Sequence, residues 1–253
     1  MNSYIKQGDC LELMKEIPDK SVDMILCDLP YGITKNKWDK PIDLRKLWCL
    51  YERIIKDNGA ICLFGQGKFF SDLINSNRSW YRYDLVWDKV MISGFLNAYR
   101  MPLRRHEQIA VFYKHLPTYN PQLTYGHKAI HGRGKIDLSK EEVNHNYGKF
   151  TRAIYYREGR TDRMPTSILR VSKAHPNTSI HPTEKPVELL EYLIKTYTNE
   201  GEIVLDNCMG CGSTVIACIK TNRRYIGFEL EQEYYEKAKE RIEKALCEKA
   251  KLS

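Results

Sequence analysis

Apolar residues recur along this chain in two rhythms, and their alternation predicts its elements. Short runs at Val22-Asp23-Met24-Ile25-Leu26, Ala60–Phe64, Tyr83–Trp87, Ile109–Tyr113, Glu202–Leu205 and Arg224–Phe228 have the length and the apolar content of strands. Between them, apolar positions return at helical spacing. Leu44, Leu47, Leu50, Ile54 and Ile55 share one face of a helix predicted from Asp43 to Lys56, with Gly59 closing it. Further helices are predicted around Phe69–Asn75, at Val187–Thr198 and Ser213–Thr221, and from Gln232 onward, where the Lys/Glu pattern reads as a solvated face. Strands and helices alternating in this way imply a parallel sheet covered by helices. The predicted fold class is α/β, doubly wound and mostly parallel.

The pattern lapses between about Leu116 and His181, where Tyr, Asn, Gly, His, Lys and Arg are frequent and no long apolar run occurs. This segment reads as an insertion, so residues 1–115 and 181–253 are expected to be two halves of one core, with 116–180 set into it. The 253 residues suffice for one large domain with such a lobe. A formal charge of +8 and a pI near 8.9 favour an anionic partner without specifying it. Met1-Asn2-Ser3-Tyr4-Ile5-Lys6 has no apolar signal region, and no later run is long enough to cross a bilayer, so a soluble cytoplasmic protein is expected. Most of the eight cysteines sit in apolar runs, where a thiol behaves as a small hydrophobe. Cys208-Met209-Gly210-Cys211 has no second pair spaced to complete a zinc site, so no metal centre is expected.

Chemistry concentrates at two places. Directly after the first strand stands Asp28-Leu29-Pro30-Tyr31, and strands of a parallel sheet deliver their carboxyl ends to the ligand crevice. Asp28 offers a hydrogen-bond acceptor and Tyr31 a stacking face, while Pro30 stiffens the turn and removes a donor. Such a set can hold a flat ring bearing an amine. The second place is Asp206-Asn207-Cys208-Met209-Gly210-Cys211-Gly212-Ser213, a glycine loop between a strand and a helix. The next strand ends in Glu229, where an acid can accept both hydrogens of a ribose diol. A dinucleotide loop would carry a third small residue where Val215 stands, and its pyrophosphate would lie on the helix N-terminus. S-adenosylmethionine has no phosphate, and Asp206 suits its ammonium.

These residues resemble those of the DNA amino-methyltransferases. Asp28-Leu29-Pro30-Tyr31 is similar to their Asp-Pro-Pro-Tyr motif, and Asp206 to Gly212 to their Asp-Pro-Phe-x-Gly-x-Gly motif. Gly8-Asp9, Pro18–Asp23 and His181-Pro182-Thr183-Glu184-Lys185-Pro186 also resemble family segments. With the catalytic motif first and the glycines last, the order resembles the circularly permuted β group. The resemblance implies a core of the S-adenosylmethionine-dependent methyltransferase type with an inserted target-recognition region. It further implies that Asp9 contacts the cofactor adenine, Thr183 and Lys185 wrap its methionine end, and Asp206, Cys208, Gly210, Gly212, Ser213 and Glu229 complete that site. The insertion would read DNA through Lys149, Arg152, Arg157, Arg160, Arg163 and Arg170, interleaved with Tyr147, Phe150, Tyr155 and Tyr156. Trp38 would close over the duplex. Double-stranded DNA is the implied partner, and the family setting admits a homodimer and a cognate restriction endonuclease.

Two positions depart from the family pattern: Leu29 replaces a proline, and Asn207-Cys208 replaces Pro-Phe. The expected reaction is methylation of a flipped-out adenine at N6, with Asp28 and the Leu29 carbonyl accepting from the amine and Tyr31 stacking on the base. Cytosine N4 is the nearest alternative, although family members acting there more often carry Ser at the position of Asp28. A non-catalytic DNA-binding module would follow if the altered glycine loop held no cofactor. An NAD-dependent dehydrogenase would leave the Asp28 motif and the basic insertion without a role.

Overall fold

The computed structural model describes residues 2–32, 39–129, 161–173 and 184–251, with the backbone of 142–144 and 148–150. The chain divides into two compact units, Met1–Asn120 with Thr166–Ser253, and Pro121–Pro165. In order, the elements are β1 (Tyr4–Gln7), α1 (Cys10–Leu13), β2 (Val22–Cys27), α2 (Leu44–Ile54), β3 (Ile55–Gly65), α3 (Gly67–Ser76), β4 (Tyr81–Ser93), β5 (Arg104–Phe112), β6 (Glu142–Asn144), β7 (Gly148–Phe150), β8 (Ile168–Arg170), α4 (Val187–Tyr197), β9 (Ile203–Asp206), α5 (Ser213–Lys220), β10 (Arg224–Glu229) and α6 (Gln232–Ala250).

In the larger unit, eight strands form one sheet in the order β1-β10-β9-β2-β3-β5-β4-β8. The five strands from β1 to β3 run parallel, and β5 is antiparallel to both of its neighbours. Strand β2 is buried along its whole length because both faces are covered. Ile25 and Cys27 pack with Leu47, Trp48 and Tyr51 of α2, and with Phe70 and Leu73 of α3. Met24 and Leu26 pack on the opposite side with Leu189, Leu190 and Leu193 of α4, and with Ala217 and Cys218 of α5. The doubly wound, mostly parallel sheet expected from the pattern is therefore present.

Chain connections diverge at the β9/β2 pair, since β3 lies beyond β2 and β10 lies beyond β9. Ligands lodge at the carboxyl edge of such a divergence. The register, Met24 opposite Val204 and Ile25 opposite Leu205, brings Asp206 and Asp28 out of neighbouring strands on that same edge.

Three local expectations are corrected. Helix α2 starts after Asp43, whose carboxylate accepts from the Arg45 and Lys46 amides, but it ends at Ile54. Gly59 therefore caps nothing and lies within β3, where Ile55 pairs with Val22 and Ala60 with Met24 across an irregularity. A Cβ at Gly59 would stand 2.8 Å from the Asp23 carbonyl, so the glycine answers a close backbone approach. Strands β4 and β5 are longer than their apolar runs because they continue as a ribbon beyond the sheet. Edge strand β1 is four residues long and only partly buried, too little apolar pattern to be legible.

In the smaller unit, β6 and β7 pair antiparallel, and an isolated bridge joins Thr124 to Arg163. No helix among the described residues is long and apolar enough to cross a membrane.

Candidate active site

A cleft of about 470 Å³ opens at the carboxyl edge of the sheet. Asp28, Leu29, Pro30 and Tyr31 line one part of it, and Asp206, Cys208, Gly210, Ser213 and Glu229 line another, with Asp9 between elements. The fold thus brings together motifs from opposite ends of the chain.

Asp28 is the hinge of a partly buried network. Its Oδ1 accepts from the Tyr31 hydroxyl at 2.8 Å, and its Oδ2 from the Lys185 ammonium. Lys185 also lies 3.4 Å from Glu107, whose other oxygen accepts from Lys89 at 3.2 Å. Burial raises Asp28 above the usual carboxylate range, and Lys185 pulls against that rise. For Glu107 burial acts the same way, but the two lysines outweigh it and its carboxyl is held below the usual range. The ammonium of Lys185 loses hydration on burial, yet Asp28 and Glu107 more than compensate and raise it. Among the described residues Glu107 Oε2 finds no hydrogen-bond partner of good geometry, so its stabilisation rests on the lysine charge. Lys185, which the family resemblance assigned to the cofactor's methionine end, is paired here with the catalytic candidate.

Tyr31 stacks one ring face on Phe69, with centroids 4.6 Å apart and planes at 26°. Leu29 is 2% exposed and packs into the core against α1 to α3, which accounts for an apolar side chain where the family carries proline. The Gly32 amide donates to Asp39 at 2.7 Å and ties the far end of the turn.

On the other side, Asp206 is buried and accepts from the Cys208 amide at 3.1 Å. Burial pushes its carboxyl up to about 6, against hydrogen bonds from Thr214, Cys208 and Cys27. Glu229 accepts from the amides of Gly210 and Glu231, and burial still raises it. The glycine loop is stiffened by its own departures from the family pattern. Asn207 accepts from the buried Tyr51 hydroxyl at 2.5 Å, and Cys208 interacts with the thiols of Cys10 and Cys27. Burial pushes Cys27 up to about 12, so that thiol stays protonated. Gly212 adopts φ +82°, and a Cβ there would meet Ala238 of α6 at 3.3 Å. Asp9 caps α1 by accepting from the Leu11 amide at 2.8 Å. Ser213 donates to Glu184 at 2.9 Å, and Arg241 of α6 reaches the same pair.

Several lining residues were not anticipated: Gln66, Trp87, Glu107, Lys173 and Tyr234. Glu107 carried no local signal for its place in the cleft, and Tyr234 and Arg241 were hidden in a helix that looked wholly solvated. Trp38, Thr183, Arg152, Arg157 and Arg160 lie outside the described residues, and Lys149 is described only as backbone of β7. Arg163 donates to the carbonyls of Asp162 and Lys128 within the smaller unit. Arg170 is exposed on edge strand β8, opposite Asp88, and so belongs to the sheet of the larger unit.

A family model described as DNA methylase, of the N6/N4 type, matches residues 22–240 and so spans both motifs. The chain belongs to this family. Among curated relatives, the type II methyltransferase M.HpaI of Haemophilus parainfluenzae is 27% identical over 96% of this chain and 75% of its own length. The DNA adenine methyltransferase YhdJ of Escherichia coli K12 is 28% identical over 95% of this chain and 83% of its own. The fold matches the M1.HpyAVI–SAM complex with a TM-score of 0.62 at 23% identity, covering 94% of this chain and 98% of that one. It also matches the cytosine-N4-specific PvuII DNA methyltransferase with a TM-score of 0.66 at 15% identity, covering 97% and 91%. As a DNA methylase, the chain has an exocyclic amine of a DNA base as its substrate group, which is the chemistry that an acceptor at Asp28 can serve.

Proposed function

We propose that this methylase acts on N6 of adenine in double-stranded DNA, with S-adenosylmethionine as methyl donor. The carrying observation is Asp28: a carboxylate at the head of the motif, partly buried, hydrogen-bonded by Lys185 and sharing one cleft with Asp206 and Glu229. The adenine-specific relative YhdJ supports the same base.

The cleft residues fit the donor. A Cβ at Gly210 would meet nothing within 4 Å, so space lies open above the loop, flanked by two buried acids. Asp206 would hold the ammonium and Glu229 the ribose diol. When bound, S-adenosylmethionine supplies an electrophilic methyl group on a sulfonium. An adenine amine is a poor nucleophile because its lone pair is delocalised into the ring. By accepting a hydrogen bond from it, Asp28 favours the pyramidal form and frees that lone pair. The same carboxylate then stabilises positive charge developing on nitrogen. Tyr31 takes the extruded ring, and Lys185 opposes the rise that burial imposes on Asp28.

Cofactor affinity should depend on pH through Asp206. Its carboxylate form, which attracts the ammonium, prevails above about 6. The dissociation constant for S-adenosylmethionine should therefore rise as pH falls below that value, approaching about tenfold per pH unit. Without cofactor the sign reverses: a folded-state value above the unfolded one adds stability as pH falls through the same window. Calorimetric titration between about pH 7.5 and 5 would show the weakening, and a constant affinity across that range would contradict it.

The base assignment is tested by expressing the chain in a methylation-deficient bacterial host and sequencing single genomic molecules. N6-methyladenine confined to one sequence motif is expected. An N4-methylcytosine signature would refute the assignment.

A further inference from the structure

Pairing of β5 with β3 ends at Gly65 opposite Gln108, but pairing of β4 with β5 continues through Asp88 opposite His106 to Ser93 opposite Arg104. The ribbon therefore projects past the carboxyl end of β3, the edge on which Asp28 sits. Its root is part of the cleft, since Trp87 and Glu107 line it and Glu107 joins the Lys185–Asp28 network. At the tip, a short turn at Phe95–Asn97 presents Phe95 at 65%, Leu96 at 100% and Tyr99 at 105% exposure. Apolar groups gathered on a tip that no described residue covers mark a partner surface.

Charge identifies the partner. Asp88 and Glu107 at the ribbon's root pair with Arg105 and Lys89, and between them, from Lys89 to His106, there is no acid, so Arg100 and Arg104 carry the ribbon's excess positive charge. Lys89 bonds Glu107, Arg105 pairs with Asp88, and Arg104 donates to Gln66 of the cleft, which sets these cations around the ribbon's root. Arg100 is exposed beside the apolar tip. A second copy docked through the same patch would bring like charges together. A duplex offers what the tip lacks: apolar base faces next to anionic phosphates. Extruding one base also opens a gap in the stack that an apolar side chain can occupy.

We propose that this tip is a DNA wedge, with Leu96 and Tyr99 entering the base stack beside the target while Arg100 takes a flanking phosphate. The inference rests on the DNA methylase reading of the cleft.

The test uses the full chain and a synthetic duplex carrying the motif found by sequencing. The variant is Leu96→Ser with Tyr99→Ser, both positions being solvent-exposed and outside the core. Two substrates are compared, one with the target base normally paired and one with it opposite an abasic position, where pairing no longer holds it in. The variant should lose about tenfold or more in methyl transfer on the paired duplex and stay within about twofold on the other. Arg100→Gln should weaken binding to all duplexes and reduce the salt slope by about one. Equal losses on both substrates, or none on either, would overturn the wedge. A dimer of the wild-type chain that becomes monomeric in the double variant, by sedimentation, would also overturn it and assign the tip to a second copy. Failure of the wild-type chain to methylate either duplex would instead overturn the DNA methylase reading on which the wedge rests.

Discussion

Asp28→Ala should lower methyl transfer by about 10²- to 10³-fold while S-adenosylmethionine binds within about twofold of wild type. The separation is expected because Asp28 belongs to the amine side of the cleft, whereas Asp206 and Glu229 occupy the glycine-loop side. Removing one preorganised hydrogen-bonding group aimed at developing charge, such as an oxyanion-hole donor, costs roughly this much. The wild-type rate should also fall with decreasing pH along a limb lying above the ordinary carboxylate range, because burial raises Asp28. The sign follows from the chemistry: the ionised form accepts from the amine, and the protonated form does not. Single-turnover rates across pH, with parallel cofactor titrations, check both statements. An Asp28→Ala chain that turns over normally would remove the residue from the mechanism.

Lys185→Met should damage the protein in two separable ways. It leaves Asp28 and Glu107 facing one another at the cleft without the cation they share, and breaking a buried pair on one side costs about 3–5 kcal/mol. The urea midpoint should fall accordingly. With its cation gone, Asp28 should also rise further, so the acid limb of the rate moves to higher pH and raising pH restores part of the activity. Asp28→Ala has no such recovery. Lys185→Arg, which keeps the charge, should leave the limb near its wild-type position and serves as the readout if the Met variant fails to fold. An unchanged limb and an unchanged midpoint in the Met variant would show that Lys185 does not support Asp28.

The parts of this site that were legible in the sequence are those written locally. Asp28 follows its own strand within two residues, and Asp206 to Ser213 carry strand end, glycine turn and helix start in one continuous segment. The alternation of strands and helices sufficed for the sheet because each central strand is apolar on both faces. What was not legible depends on tertiary pairing. Glu107 meets Lys185 only once β5 is set beside β3, and neither residue has a local reason to be charged and buried. Asn207, which stands where the family carries proline, is anchored by Tyr51, brought in on α2 to donate its hydrogen bond. Gly59 misled for the opposite reason: it looked like a helix stop, whereas its lack of a side chain serves the Asp23 carbonyl passing beside it. The reach of Arg241 into the Glu184–Ser213 pair was masked by the otherwise charged surface of α6.

The most direct test of the account is to incubate the purified chain with DNA and methyl-labelled S-adenosylmethionine, digest the DNA, and separate the nucleosides by mass spectrometry. Label in N6-methyladenine, lost in the Asp28→Ala variant, is the predicted result. Label in N4-methylcytosine, or label that persists without Asp28, would contradict it.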